Sequence, residues 1–289
     1  MKLLAILIAF GLERYYRVFD HLRSHQWIYG WILWLEDRFS SANFWRGLWA
    51  PIWVALPIAL LVQLIYVGLD EVLGLFGLLW GIAVLVLSFG PRDLAGEVRE
   101  LMDLFEHDRE GGLIQAQRFA GGEGELHVHQ AARGITTGVF VQANQRIFAV
   151  LFWFVLLGPL GAVFYRIVDM DCERGDASDA HRASALRLRE MLSWIPAHLV
   201  ALSYAVVGDF SAALHALRKN MGDWAQNTRM LACAGLGALR LECSAEDEAG
   251  EEWNALDREE IEEALELVRR SEVLWMAALA VLILAGLLI

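Results

Sequence analysis

Residues 48–67, LWAPIWVALPIALLVQLIYV, and residues 72–89, VLGLFGLLWGIAVLVLSF, decide the fold of this chain, because neither stretch contains a charged side chain. The hydrocarbon core of a bilayer is about 30 Å thick, and roughly 20 apolar helical residues are needed to cross it. Both stretches are therefore predicted to be membrane-spanning helices. Only residues 68–71 separate them, so we expect a tight antiparallel helical hairpin.

The composition of the whole chain agrees with a membrane protein. Of its 289 residues, 57% are hydrophobic and 21% are charged, and the mean hydropathy is +0.41. This balance excludes an intrinsically disordered chain and a small disulfide scaffold. The net charge of −12 has the wrong sign for a nucleic-acid binder, so no nucleic-acid partner is predicted.

Three further apolar stretches are less regular than the first two. Residues 147–168 are long enough to cross, but Gly158-Pro159 interrupts them, which predicts either a kinked span or a re-entrant hairpin. Residues 194–208 are short and fit an interfacial helix as well as a span. Residues 273–289 contain no charge and are predicted to be the last span. The polar loops are expected at residues 13–47, 90–146, 169–193 and 209–272.

The polar loops are themselves predicted to contain helices. One apolar stripe opposes an acidic face and comprises Leu94, Val98, Leu101 and Phe105. Asp257 resembles a helix N-cap, and the stripe that follows it, Ile261, Leu265 and Val268, is expected to continue into the last span. The predicted fold class is therefore all-α, a polytopic integral membrane protein with helical polar loops that forms a single domain over residues 1–289.

The sequence contains few signatures of enzyme chemistry. It has no phosphate-binding loop, no dinucleotide fingerprint and no metalloprotease or hydrolase motif. Cys172, Cys233 and Cys243 are scattered, which predicts free buried thiols, and His127 and His129 are interpreted as loop surface. No metal site and no cofactor are predicted.

Polar residues beside apolar segments are the best candidates for a binding site, because they are costly to place there. The residues selected are Glu13, Arg14, Asn144, Arg166, Asp169 and His198. Charges of both signs at the ends of residues 147–168 suit a zwitterionic or phosphorylated ligand. Internal salt bridges and snorkelling side chains are the alternative interpretation.

Four short strings give the chain a family resemblance. They are GLERYY at residues 11–16, ANQRIFAVLFW at 143–153, YR at 165–166 and WIPAHL at 194–199. In this order, and in these places relative to the spans, they resemble AmpE of the AmpE and CobD/CbiB superfamily. The resemblance covers nearly the whole chain.

The enzymatic branch of this superfamily, CobD/CbiB, condenses an aminopropanol unit with a corrinoid carboxylate. The residues that match its motifs are Asn144, Phe152-Trp153, Tyr165-Arg166 and Ile195-Pro196-Ala197. Positions where that branch has Glu, Asn, Asp-Asp, Asn and Arg are occupied here by Ala143, Asp169, Arg189-Glu190, Ser193 and His198. These departures remove two carboxylates and an arginine, which are the groups expected to bind a metal ion and a phosphate. They therefore favour the non-biosynthetic branch.

The resemblance implies an inner-membrane regulatory or sensory protein that modulates β-lactamase induction in response to β-lactams or cell-wall fragments. Its expected partners are membrane lipid and a small cell-wall-derived or nucleotide ligand. The alternative is a divergent CobD/CbiB-like amide-forming ligase of cobalamin-type biosynthesis, so enzymatic activity stays open. A transporter is the third possibility, and the small number of helices disfavours it.

Overall fold

Almost all of the residues that the computed structural model describes are helical. The described residues are 5–6, 8–9, 11, 26–39, 49–72, 74–89, 93–121, 131–174, 177–220, 227–241, 243 and 255–285. They contain no β-strand, as the predicted all-α class requires. The helices are α1 (Gln26–Phe39), α2 (Trp49–Val72), α3 (Gly74–Ser88), α4 (Leu94–His107), α5 (Arg109–Ala120), α6 (Ala131–Ala143), α7 (Ala149–Leu157), α8 (Pro159–Cys172), α9 (Asp179–Val207), α10 (Phe210–Asn220), α11 (Asn227–Ala238) and α12 (Ala255–Leu284).

Three helical segments of the described chain are long and apolar enough to cross a membrane. They are Trp49–Glu71, Ala131–Leu157 and Asp179–Val207, of 23, 27 and 29 residues. The segment Ala131–Leu157 consists of α6 and α7 joined by a π-helical turn, Asn144–Phe148. It therefore begins within residues 90–146, which were predicted to be a polar loop. Helix α3 is apolar but shorter. The lengths and hydropathy of these helices support a membrane protein.

The apolar stretch at 147–168 divides at Gly158 into α7 and α8. Gly158 has φ 70° and ψ −152°, a conformation that is nearly restricted to glycine, and Pro159 begins the next helix. A Cβ atom added to Gly161 would overlap the carbonyl of Trp153, so the two helices are in close contact at the turn. The chain therefore forms a helical hairpin here.

Contacts divide the chain into two compact units. The first unit contains residues 1–91, 145–196 and 279–289, and the second contains 92–144 and 197–278. In the first unit, α1, α2 and α8 bury a common apolar cluster that includes Ile32, Val54 and Val168. The indole N–H of Trp31 donates to the carbonyl of Val54 at 3.3 Å, which fixes α1 against α2.

The second unit confirms two of the predicted helical patterns. The stripe Leu94, Val98, Leu101 and Phe105 is the buried face of α4. Helix α12 runs without interruption from Ala255 to Leu284, and it buries Ile261 and Val268 before it enters the predicted last span. Residues 286–289, the end of that span, lie outside the described residues.

The prediction of three free thiols is wrong for two of them. Cys233 and Cys243 form a disulfide, with their Cα atoms 5.1 Å apart, and Cys172 is free and buried. Helix α11 ends at Ala238, and Arg240 has φ 63°, a left-handed conformation that turns the chain back toward Cys233. Nothing in the residue spacing identifies this turn, so the pairing could not be predicted from the sequence.

Candidate functional site

Helix α8 places a group of charged residues inside the first unit. Its first half is apolar, whereas Arg166, Asp169 and Asp171 in its second half are all buried. A buried charge is costly unless it is paired, so each of these side chains requires a partner.

Asp169 is the centre of the arrangement. Arg166, one turn earlier, donates from Nη1 to Oδ2 of Asp169 at 2.7 Å, and Arg189 of α9 approaches Oδ1 at 3.5 Å. The side chains of Asp169, Arg166 and Arg189 are 1%, 6% and 15% exposed. We call these three residues the arginine–aspartate cluster. It contains two positive charges and one negative charge.

The cluster retains unused hydrogen-bond donors. The Nε atoms of Arg166 and Arg189 are buried and have no hydrogen-bond partner in the described part of the chain. A guanidinium group binds carboxylate and phosphate strongly because its nitrogens form a planar fork. The cluster therefore has both the charge and the donors to bind an anionic group.

Neighbouring contacts hold the cluster between α7, α8 and α9. The hydroxyl groups of Tyr165 and Ser193 are hydrogen-bonded at 2.9 Å. The indole N–H of Trp153 donates to the carbonyl of Leu192 at 3.1 Å. The YR string, the FW pair and the segment before WIPAHL, which are far apart in sequence, thus meet in one place.

A second buried ionic network follows the cluster along the chain. Nε2 of His181 lies 2.8 Å from Oδ2 of Asp171, and both side chains are at most 1% exposed. Arg174 contacts Asp171 at 3.6 Å and pairs with Glu36 of α1 at 2.8 Å. Sequence reasoning selected none of His181, Arg174 and Glu36 as site residues. For His181 and Arg174 the only signal in the sequence was the nearby Asp171, and nothing in the sequence indicated Glu36.

Glu173 lies at the end of α8 and its side chain reaches the surface. The dense protein around its carboxyl group, followed by repulsion from Asp169, raises the pKa of Glu173, while Arg166 and Arg146 act in the opposite direction. Protonation of Glu173 is therefore favoured first by burial of its carboxyl group and second by the negative charge of Asp169.

The structure brings together two of the six predicted site residues, Arg166 and Asp169. Asn144 is buried in the π-helical turn, a type of irregularity found often at functional sites, but it belongs to the second unit, as does His198. Glu13 and Arg14 lie outside the described residues. The assembly of all six residues into one pocket stays a prediction.

Comparison with known proteins identifies the family. The model of the CobD/CbiB protein family matches residues 6–268. The chain belongs to the CobD/CbiB family. It is 30% identical over 270 residues to the cobalamin biosynthesis protein CobD of Stutzerimonas stutzeri, covering 85% of this chain and 86% of that protein. It is 29% identical over 225 residues to CobD of Chromobacterium violaceum, with 71% of each chain covered. No solved structure matches the chain.

These matches support the CobD/CbiB resemblance and do not single out AmpE. Two departures from the CobD/CbiB motifs are adjacent in space. Asp169 stands where the resemblance implies Asn, Arg189 stands where it implies Asp, and the two side chains approach to 3.5 Å. Where the resemblance implies an amide and a carboxylate, this chain thus has a carboxylate and a guanidinium group in contact.

Proposed function

We propose that this protein is a membrane-bound amide-forming ligase of cobalamin-type biosynthesis that acts on a corrinoid carboxylate. Membership of the CobD/CbiB family supports this proposal, as do two relatives named cobalamin biosynthesis protein CobD. The observation that carries it is the arginine–aspartate cluster, which offers one buried and one largely buried guanidinium group to an anion. We place the protein in the bacterial inner membrane.

The reaction joins the amine of an amino alcohol to the corrinoid carboxyl carbon. A nucleoside triphosphate is the co-reactant: the carboxyl oxygen leaves with a phosphoryl group as the C–N bond forms, and the amine loses its proton. Arg166 and Arg189 bind the carboxylate or the phosphoryl oxygens and stabilise their negative charge. Asp169 fixes both guanidinium groups in advance, so that they need not reorganise during the reaction.

Asp169 does not fit the role of a magnesium ligand. Each of its two oxygens faces a guanidinium group. Within the described residues, no group of three or more His, Cys, Asp or Glu side chains is arranged to bind a metal. We therefore assign the charge stabilisation at the cluster to arginine.

A regulatory protein of the AmpE type is the second candidate function. The observation in its favour is Arg189, which pairs with Asp169 and stands where the resemblance to the ligase motifs implies an acidic residue. Such a protein would keep the scaffold and bind an anionic cell-wall fragment without forming an amide.

Complementation distinguishes the two candidates. The chain is expressed in a cobalamin-producing bacterium that lacks its own ligase, beside CobD of Stutzerimonas stutzeri as the positive control. We expect growth without added cobinamide, loss of growth in Arg166→Ala, and normal growth in the exposed-surface control Arg99→Ala. No growth with this chain, while the control CobD restores it, contradicts the ligase proposal. The regulatory candidate instead predicts that Arg166→Ala abolishes the effect on β-lactamase induction at an unchanged membrane level.

A further inference from the structure

The second unit contains a cavity made by residues outside the arginine–aspartate cluster. It has a volume of about 430 Å³ and lies between the end of α9, the end of α11 and one face of α12. Five charged residues line it: Asp209, Arg240, Glu263, Glu266 and Arg270. The three residues from α12 are spaced so that they share a face of that helix.

The cavity lies at the end of one candidate membrane span and close to the start of the predicted last span. The candidate span of α9 ends at Val207, which lines the cavity. On α12, the uncharged run predicted to enter the bilayer begins at Val273, three residues after Arg270. Val206 and Val273 are 56% and 65% exposed, so apolar surface flanks the charged lining. This is the depth at which lipid headgroups are found.

Two arginines in the cavity are held by their inner nitrogen only. Nε of Arg240 donates to Asp209 at 2.8 Å, and Nε of Arg270 donates to Glu266 at 3.1 Å. Within the described part of the chain, the outer nitrogens of both guanidinium groups form no hydrogen bond, and the Arg240 side chain is 80% exposed. Each arginine therefore presents an oriented pair of donors, which suits phosphate oxygens.

Glu263 supplies the opposite charge. It is exposed, lines the cavity and forms no ion pair with any described residue. A carboxylate beside two oriented guanidinium groups matches a ligand that has a phosphate and a primary ammonium group a few atoms apart.

We propose that this cavity binds the headgroup of an aminophospholipid such as phosphatidylethanolamine, with the phosphate on Arg240 and Arg270 and the ammonium on Glu263. The acyl chains extend along the exposed valines. A primary ammonium donates hydrogen bonds to a carboxylate, whereas the trimethylammonium group of phosphatidylcholine does not, so the site discriminates between these lipids. It acts independently of the reaction proposed above.

Native mass spectrometry of the full chain in detergent tests this site. Phosphatidylethanolamine, phosphatidylcholine and phosphatidylglycerol of identical acyl chains are added to the wild type and three variants. We expect the wild type to retain phosphatidylethanolamine about threefold more than phosphatidylcholine, the effect of one exposed ion pair, and Glu263→Gln to abolish this preference. Arg270→Gln should weaken the binding of all three lipids, because each has a phosphate group. Glu266 keeps its second partner, Arg269, in this variant, so the helix surface stays paired. Glu259→Gln, an exposed change elsewhere on α12, is the matched control and should bind as the wild type does.

Three outcomes would overturn the assignment. They are equal retention of the three lipids by the wild type, an unchanged preference in Glu263→Gln, and binding of soluble phosphoethanolamine as tight as that of the lipid. The last outcome would assign the cavity to a soluble phosphorylated amino alcohol.

Discussion

Replacement of Asp169 by Asn tests the arginine–aspartate cluster most severely, because it keeps the size of the side chain and removes only its charge. Asp169 is 1% exposed and has Arg166 at 2.7 Å and Arg189 at 3.5 Å. Removal of one partner of a buried ion pair typically costs about 3–5 kcal/mol, since the other charge stays buried without compensation. The contact between Asp169 and Arg189 is long, and the Arg189 side chain is partly exposed. We therefore expect Asp169→Asn to lower the free energy of unfolding by about 3 kcal/mol, the lower end of this range.

The assay is reversible unfolding in mixed micelles, followed by near-ultraviolet circular dichroism. Glu262→Gln is the matched control: it makes the same carboxyl-to-amide change in a pair with Arg99, whose members are 43% and 53% exposed. An exposed pair contributes about 1 kcal/mol or less, so this control should be nearly neutral. The double variant Asp169→Asn/Arg189→Gln should lose less stability than the sum of the losses in the two single variants. The double variant leaves only Arg166 without its carboxylate partner, whereas Asp169→Asn alone leaves both arginines without one. Equal stability of Asp169→Asn and Glu262→Gln would refute the reasoning.

Three further predictions concern the fold. Gly158→Ala should lower the free energy of unfolding by about 1–3 kcal/mol, because alanine is strained at φ 70°, whereas Gly68→Ala, inside a helix with open space around it, should not. Pairing with two arginines lowers the folded-state pKa of Glu266 from 4.5 to about 2. Its stabilising contribution is therefore complete above pH 4.5 and is lost as the pH falls toward 2, so an acid titration of unfolding should be flatter in Glu266→Gln. Cys233→Ser should cost about 3 kcal/mol by opening the short loop to Cys243, and a reductant should then have no further effect on unfolding.

The parts of the fold that could be predicted are those encoded by local patterns. The stripe from Leu94 to Phe105 specifies the buried face of α4, and the apolar run at 48–67 specifies α2, because helix periodicity and span length are properties of neighbouring residues. The path at Gly158-Pro159 could not be decided in advance, since the same dipeptide is compatible with a kink and with a reversal. Only the contact between α7 and α8 selects the reversal.

The contacts among the candidate site residues could be predicted only in part, for a similar reason. Arg166 and Asp169 are one helical turn apart, so their pairing is visible in the sequence. Arg189 was noted only as a departure from a motif, and its approach to Asp169 is a contact between residues of two different helices, α8 and α9. His181 was missed because its partner Asp171 lies ten residues away across a turn. Long-range pairs of this kind require the three-dimensional structure.

Product formation in isolated membranes shows whether this CobD/CbiB family member forms an amide at the arginine–aspartate cluster, as we propose. Membranes containing the chain are incubated with a corrinoid acid, an amino alcohol and a nucleoside triphosphate, and the corrinoid is analysed by mass spectrometry. We expect a corrinoid amide that depends on all three reactants and disappears in Arg166→Ala at an equal membrane level. Absence of this product, in an assay where CobD of Stutzerimonas stutzeri forms it, would rule out the proposed ligase activity.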